Sequence, residues 1–222
     1  MQKRIIITGG SGFIGTNLID FYLSQGFEVL NLDIKPPRNN NHYDYWQCVD
    51  IEDFDLLLEK INEYMPDYLV HMAARTDLRG KSLNEYSANI LGVKNIINAC
   101  KEVTSLKKVI FASSMLVCKA GYIPVNDQDY CPPNLYGASK MVGEELVRRT
   151  TLDSGYEWII VRPTSIWGPW FGPTYRSFFE MILSGKYFNF SGNMSNKTYG
   201  YIGNVVYQIN QILFSDKTSG RT

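Results

Sequence analysis

Apolar residues in this chain fall into two kinds of run. Short, nearly unbroken stretches at 4–8, 28–33, 45–49, 68–72, 108–112 and 158–162 have the length and character of strands buried on both faces. Between them, 16–25, 53–64, 83–101 and 135–151 repeat apolar side chains at helical spacing with polar ones opposite. Strand and helix alternating in this way predict βαβ units, and so an α/β fold with a doubly wound parallel sheet. Beyond about residue 168 the pattern loosens into Gly, Pro, Asn and aromatic residues, with helices expected at 175–183 and 204–214. The expected organisation is a sheet domain over 1–166, interleaved with a small, incomplete C-terminal portion over 167–222. There is no internal repeat, and no low-complexity tract longer than 39–41.

Composition narrows the class. The 222 residues carry 22 basic and 22 acidic side chains, and such a balance argues against a nucleic-acid binder, which usually carries a basic excess. With 45% hydrophobic and 20% charged residues, a packed core is available and disorder is not expected. No apolar run approaches the ~20 residues of a membrane span, and the N-terminus lacks a signal-peptide pattern. The expectation is a cytoplasmic protein with no membrane contact. Cys48, Cys100, Cys118 and Cys131 are too scattered for a zinc site, so no metal is expected and the thiols read as free.

The most specific motif opens the chain. Gly9, Gly12 and Gly15 follow the first strand directly and lead into an amphipathic helix, the context in which a glycine pattern binds a dinucleotide. The first allows a tight turn, the second lets backbone approach a pyrophosphate, and the third lets helix pack on strand. The helix N-terminus offers free N–H groups to the phosphates. The next strand ends at Asp33, eighteen residues after Gly15, where a carboxylate accepts from ribose hydroxyls and repels a 2′-phosphate. NAD is therefore expected, and NADP disfavoured, although Lys35 and Arg38 follow closely. The motif in this setting makes the fold Rossmann-like.

A second cluster pairs Ser113 and Ser114, at a strand end, with Tyr136 and Lys140 near the start of a helix. Residues four apart share a helix face, and an ammonium near a phenol favours the phenolate. Such a tyrosine can take a proton from an alcohol while hydride leaves the same carbon. His71, at a strand end, reads as structural. The aromatic run Trp167, Trp170, Phe171, Tyr175, Phe178 and Phe179 reads as packing, since aromatics are mainly buried area.

The segment 8–15, Asp33, Asp50 with Ile51, the run 71–74, Asn89, Gly92 and Asn95, Ser113 and Ser114, the run 136–140, and Arg162 with Pro163 together resemble the extended short-chain dehydrogenase/reductase family, in its NAD-dependent epimerase/dehydratase branch. The resemblance runs from residue 4 to at least 214. It implies that Gly9, Gly12, Phe13 and Ile14 contact the pyrophosphate, Asp33 the ribose, and Asp50 and Ile51 the adenine. It also implies that Met72, Ala73 and Ala74 line the path to the nicotinamide, that Asn89 supports the site, and that Pro163 sits near the nicotinamide amide. Ser114, Tyr136 and Lys140 take the catalytic roles, with Tyr136 as acid/base and Lys140 binding nicotinamide ribose. A homodimer through the helices at 83–101 and 135–151, and a nucleotide-sugar substrate, are implied as well.

Within that branch, dehydratases resemble one another in an Asp-Glu pair after the serine, where this chain has Met115 and Leu116. Fucose synthases carry a cysteine directly after the serine, which is also absent. The resemblance therefore implies a sugar-nucleotide epimerase working by transient hydride transfer, of the 4-epimerase kind. Two alternatives stay open: an NAD(P)-dependent dehydrogenase or reductase of another alcohol or carbonyl substrate, and a non-catalytic NAD-binding protein. The family usually reads Val-Tyr-Gly where this chain has Val117, Cys118 and Lys119, Asn at Ser165, and an acidic residue at Gly203. Its members run longer, so the chain reads as shortened at the C-terminus, with part of the sugar-nucleotide pocket lying in what would follow.

Overall fold

The computed structural model describes residues 2–151, 154–186, 198–217 and 219–222, with backbone alone at 173–175. Six parallel strands, β1 (Arg4–Thr8), β2 (Glu28–Asp33), β3 (Trp46–Cys48), β4 (Tyr68–His71), β5 (Lys108–Ala112) and β6 (Glu157–Val161), form one sheet. Their order is β3-β2-β1-β4-β5-β6. The chain steps outward from β1 to β3 and then returns to the other side of β1, so the sheet has its switch point between β1 and β4. In sheets of this kind ligands bind there, beyond the carboxyl ends of the strands.

Side chains alternate across the sheet as the pleat requires. Ile6, Leu30, Leu32, Leu69, Val109 and Ile160 enter one layer of core with α2 (Phe54–Tyr64), α3 (Ser87–Lys101) and α4 (Leu135–Thr150). Ile5, Ile7, Val29, Val70, Ile110 and Ile159 enter the other with α1 (Phe13–Ser24) and α6 (Ile202–Leu213). Burial on both faces is why the strands read as unbroken apolar runs rather than alternating ones.

The α/β Rossmann-like expectation matches this structure, with differences at the edges. Helix α1 begins at Phe13, three residues before the expected start, because the glycines themselves turn into its first turn. Residues Asn40–Tyr45 and Leu83–Tyr86 are 3-10 turns, so β3 and α3 are shorter than their apolar patterns suggest. A two-stranded sheet, β7 (Ser165–Trp167) with β8 (Tyr199–Tyr201), was not expected, since three residues show no period. Helix α5 (Pro173–Leu183) follows β7. Helix α6 lies within the 167–222 segment, yet Val206, Ile209 and Leu213 pack with Leu18 and Ile19 of α1 under the main sheet.

Candidate active site

The glycine loop is shaped by contacts that exclude side chains. Gly9 has φ +69°, and a Cβ there would meet the backbone nitrogen of Ala73 at 2.6 Å. A Cβ on Gly15 would meet the Gly9 carbonyl oxygen at 2.3 Å. These two positions close the turn and press α1 onto β1. Gly12 differs: its φ is −76°, and a Cβ there would find nothing within 4 Å except the Gly9 oxygen at 3.1 Å. It borders open space at the N-terminus of α1, where no side chain caps the helix. An uncapped helix start beside a residue without a side chain is a cradle of the kind that fits a pyrophosphate, with Phe13 and Ile14 in its first turn.

Asp33 closes the outer end. Its carboxylate accepts from the Ser11 amide at 3.0 Å and the Lys35 amide at 2.9 Å. Burial raises its pKa, and those two amides, with Lys35 and Arg38, pull it back. Arg38 donates from Nε to the Ser11 carbonyl at 3.2 Å and from Nη1 to the Trp170 carbonyl at 2.6 Å. Asn17 reaches the Pro169 carbonyl, and the Phe13 and Phe171 rings lie 6.2 Å apart. Segment 169–171 is thereby tied over the start of α1, a set of contacts between residues more than 130 apart that no spacing in the sequence reveals.

The adenine-side candidates are held from α3. Ile51 is buried against Gly92, whose Cβ would come within 2.4 Å of it. Asn95 donates to the carbonyls of Ile51 and Glu52, while Asp50 is exposed and accepts from the Glu52 amide. On the other side of β1, Met72 donates its amide to the Thr8 carbonyl at 3.0 Å, and Ala73 lies directly against Gly9. Met72, Ala73 and Ala74, each half-buried, therefore stand across the switch point from the glycine loop. Asn89 is fully buried and bonds the Arg75 amide, the Arg75 carbonyl and the Ser139 hydroxyl. Ser139 in turn donates to the Tyr136 carbonyl. Asn89 thus links the segment after β4 to the first turn of α4, with its amide engaged by protein.

At the end of β5, Ser114 caps the short turn Met115–Val117, accepting from the Leu116 amide at 3.1 Å. Asn134 caps α4 by accepting from the Gly137 amide at 2.8 Å. Gly137 lets α4 approach this turn, because a Cβ there would lie 2.1 Å from the Leu116 carbonyl oxygen. Tyr136 is 8% exposed; burial raises its phenol pKa, a hydrogen bond with Ser114 lowers it in part, and Tyr86 adds to the rise. Lys140 is buried and donates from Nζ to the Ala112 carbonyl at 2.8 Å. Burial brings its pKa down to about 8, against an upward pull from Glu144. The spacing of Tyr136 and Lys140 predicts an ammonium that depresses the phenol. In the free protein the phenol is raised instead, because desolvation dominates and the lysine is bonded to backbone. Pro163 comes beside this cluster, its carbonyl accepting from the Met115 amide at 3.2 Å.

Two further groups complete the surroundings. Glu144, 2% exposed, holds Arg162 through both carboxylate oxygens, at 2.8 and 2.6 Å, and accepts from the Tyr130 hydroxyl at 2.9 Å. The i, i+4 step from Lys140 was the available sequence signal for it. His71 bonds Thr8 through Nδ1 at 2.8 Å, and burial, then Lys140, bring its pKa down to about 3. It is a neutral structural imidazole at ordinary pH. Among the described residues no group of three or more His, Cys, Asp or Glu side chains is placed to hold a metal, and no helix is long and apolar enough to cross a membrane.

Known proteins resemble this chain in sequence and in fold. The chain is 28% identical to an N-acetyl-alpha-D-glucosaminyl-diphospho-ditrans,octacis-undecaprenol 4-epimerase of Escherichia coli O157:H7, over 93% of this chain and 62% of that protein. It is 29% identical to a 3-beta-hydroxysteroid dehydrogenase of Mycolicibacterium neoaurum, over 82% of this chain and 52% of that one. The chain spans between about half and two thirds of the length of such curated relatives. Among solved structures, the UDP-glucose 4-epimerase of Thermotoga maritima with UDP-glucose superposes with a TM-score of 0.83 at 22% identity, over 98% of this chain and 75% of that one; this likeness is one of fold. The family model for the NAD dependent epimerase/dehydratase family matches residues 5–206, and the chain belongs to that family.

Proposed function

We propose that this chain carries the cofactor-binding and acid–base machinery of an NAD-dependent sugar-nucleotide epimerase of the 4-epimerase kind. The observation that carries the reading is the gathering of Ser114, buried Tyr136 and, one turn on, Lys140 at the carboxyl end of β5, in a sheet whose switch point bears an open glycine cradle. The 4-epimerases among the relatives and structural neighbours support it.

NAD, when bound, supplies the carrier that takes hydride from the sugar carbon and returns it. The residues that would hold it are Gly9, Gly12, Phe13 and Ile14 at the pyrophosphate, Asp33 at the ribose, Asp50 and Ile51 at the adenine, and Met72, Ala73, Ala74 and Pro163 toward the nicotinamide. Asp33 would meet a 2′-phosphate with like charge, and of the two nearby cations, Lys35 and Arg38, the arginine is already bonded to two carbonyls; NAD is favoured over NADP. Ser114 hydrogen-bonds the reacting sugar oxygen. Tyr136 takes its proton in the forward half and gives it back in the return. Burial keeps the phenol protonated in the free protein, the form that returns the proton. Met115, 54% exposed, and Leu116 follow Ser114 and transfer no protons, which disfavours elimination of water. Helices α3 and α4 are read as the homodimer face. A simple dehydrogenase would use the same three side chains, and the steroid dehydrogenase relative favours keeping that reading.

The test is mass spectrometry for co-purified NAD, then thermal shift and turnover with UDP-, GDP- and dTDP-sugars. The expected result is retained NAD, a raised melting temperature with one class of sugar nucleotide, and interconversion of its 4-epimers without net NADH. Net NADH formation selects the dehydrogenase, and NAD binding without turnover of any sugar nucleotide selects the non-catalytic reading. Tyr136→Phe is expected to lower turnover by roughly 10²–10⁴-fold, the range for losing a positioned acid/base, with NAD binding retained; full turnover in that variant would overturn the mechanism.

A further inference from the structure

The strand-like segments that leave Ser114 and enter Tyr136 run side by side, and each carries a cysteine at the point of contact. Cys118 and Cys131 are partners in an isolated parallel bridge. The Cys131 amide donates to the Val117 carbonyl at 3.0 Å, and the Lys119 amide donates to the Cys131 carbonyl at 2.8 Å. That pattern places 118 and 131 in register, so their side chains project to the same side. Neighbouring strands lie roughly 4.7–4.9 Å apart, inside the ~4.4–6.8 Å between Cα atoms that a disulfide spans.

The two thiols share a further neighbour. The Tyr122 hydroxyl donates to Asp129 at 2.6 Å, and its pKa is pushed up to about 12, first by that bond and then by burial, Asp129 and the charges of Cys131 and Cys118. Cys118 also bonds the Asp129 carbonyl at 3.5 Å. Both cysteines are half-buried, in contrast to exposed Cys48 and fully buried Cys100. Burial pushes the Cys100 thiol far up, which makes it inert to exchange.

We propose that Cys118 and Cys131 are an oxidisable pair that closes an intramolecular disulfide across the two segments flanking the catalytic serine and tyrosine. With a low-molecular-weight disulfide as oxidant, one thiolate attacks a sulfur of that disulfide and releases one small thiol. The second protein thiolate then attacks the resulting mixed disulfide at the protein sulfur and releases the other. The two protein thiols lose two protons and two electrons, and one small disulfide becomes two thiols. The bond would turn 118–131 into a closed ring beginning four residues after Ser114 and ending five before Tyr136. Redox state would then set how firmly the wall beside the active site is held.

The experiment oxidises the reduced full chain with glutathione disulfide, blocks remaining thiols by alkylation, and maps the four cysteines by mass spectrometry. The expected result is a cross-linked peptide pair containing Cys118 and Cys131, a glutathionyl adduct on Cys48, and Cys100 recovered as a thiol after unfolding. In Cys118→Ser or Cys131→Ser the remaining partner should keep a stable glutathionyl adduct instead. The oxidised protein should melt no lower than the reduced one, since the backbone register already accommodates the bond. Recovery of both Cys118 and Cys131 as free or separately glutathionylated residues, once Cys48 is fully modified, would overturn the proposal. So would a melting temperature lowered by oxidation in a Cys48→Ser background. The readout counts thiols and not turnover, so its failure would leave the epimerase reading standing.

Discussion

At the residue scale, Lys140 sets stability against function. Its ammonium is held in a buried place by one backbone carbonyl, with Glu144 a turn away. A base whose folded-state pKa lies below its unfolded value destabilises the fold wherever it is protonated in both states. That penalty is full below pH about 8 and is relieved as pH rises from there to the ordinary 10.5. The gap is worth roughly 3 kcal/mol at ~1.36 kcal/mol per pH unit. Lys140→Met removes the charge but leaves the Ala112 carbonyl without its donor, which offsets about 1 kcal/mol. The variant should therefore unfold at higher urea than the parent at pH 7, by on the order of 2 kcal/mol, while turning over poorly. Above pH 10.5 the order should reverse. Urea titrations of both proteins at pH 7 and near the alkaline end check this, and equal destabilisation at both would show that desolvation of Lys140 is not what the fold works against.

At the scale of elements, the loop from β1 to α1 separates two jobs that glycine does. Gly15 is needed by the fold, because any side chain would enter backbone at 2.3–2.5 Å; Gly15→Ala should lower stability without ligand by roughly 1–3 kcal/mol. A Cβ on Gly12 would meet only the Gly9 carbonyl oxygen, at 3.1 Å, so Gly12→Ala should lower the free protein's melting temperature far less than Gly15→Ala and remove the response to NAD. In the parent, NAD at a hundred times its Kd adds about 2.7 kcal/mol, roughly 5–10 °C for a chain of this size. A Gly12→Ala protein that still shifts fully would move the phosphate site elsewhere. The same loop explains what was legible in the sequence. Strands buried on both faces announce themselves as apolar runs, and Gly15, which packs on Gly9 and Gly10, acts through near neighbours in sequence. Arg38 on the Trp170 carbonyl, Asn89 on Ser139 and Glu144 on Arg162 join residues 132, 50 and 18 apart, and spacing along a chain does not say which distant group a side chain will meet. The rise of the Tyr136 pKa was hidden for a related reason, since desolvation depends on what packs around the phenol and not on the lysine four residues on.

At the scale of the whole molecule, the proposed homodimer would use the outer surfaces of α3 and α4. Their inner faces are committed to the sheet, with Val93, Ile96, Ile97 and Val147 buried. The outer side of α3 still carries Leu91, 42% exposed, with half-buried Ile90, while α4 adds half-buried Met141 and Val142. Two copies joined through these helices would form a four-helix seam, covering apolar surface at about 25 cal/mol per Å² before the cost of association. Sedimentation should therefore find twice the chain's mass at micromolar concentration, with a melting temperature that rises with protein concentration, as coupled folding and association requires. Leu91→Glu places a charge in the seam while leaving the buried face of α3 untouched. It should give a monomer with unchanged far-ultraviolet circular dichroism. Because Asn89, Gly92 and Asn95 sit on the same helix and hold Arg75 and Ile51, loosening α3 should also weaken the cofactor site, and the monomer should show a smaller NAD-induced shift. A Leu91→Glu protein that stays dimeric would place the interface on another surface, and a monomeric parent would show that α3 and α4 meet solvent in the free chain.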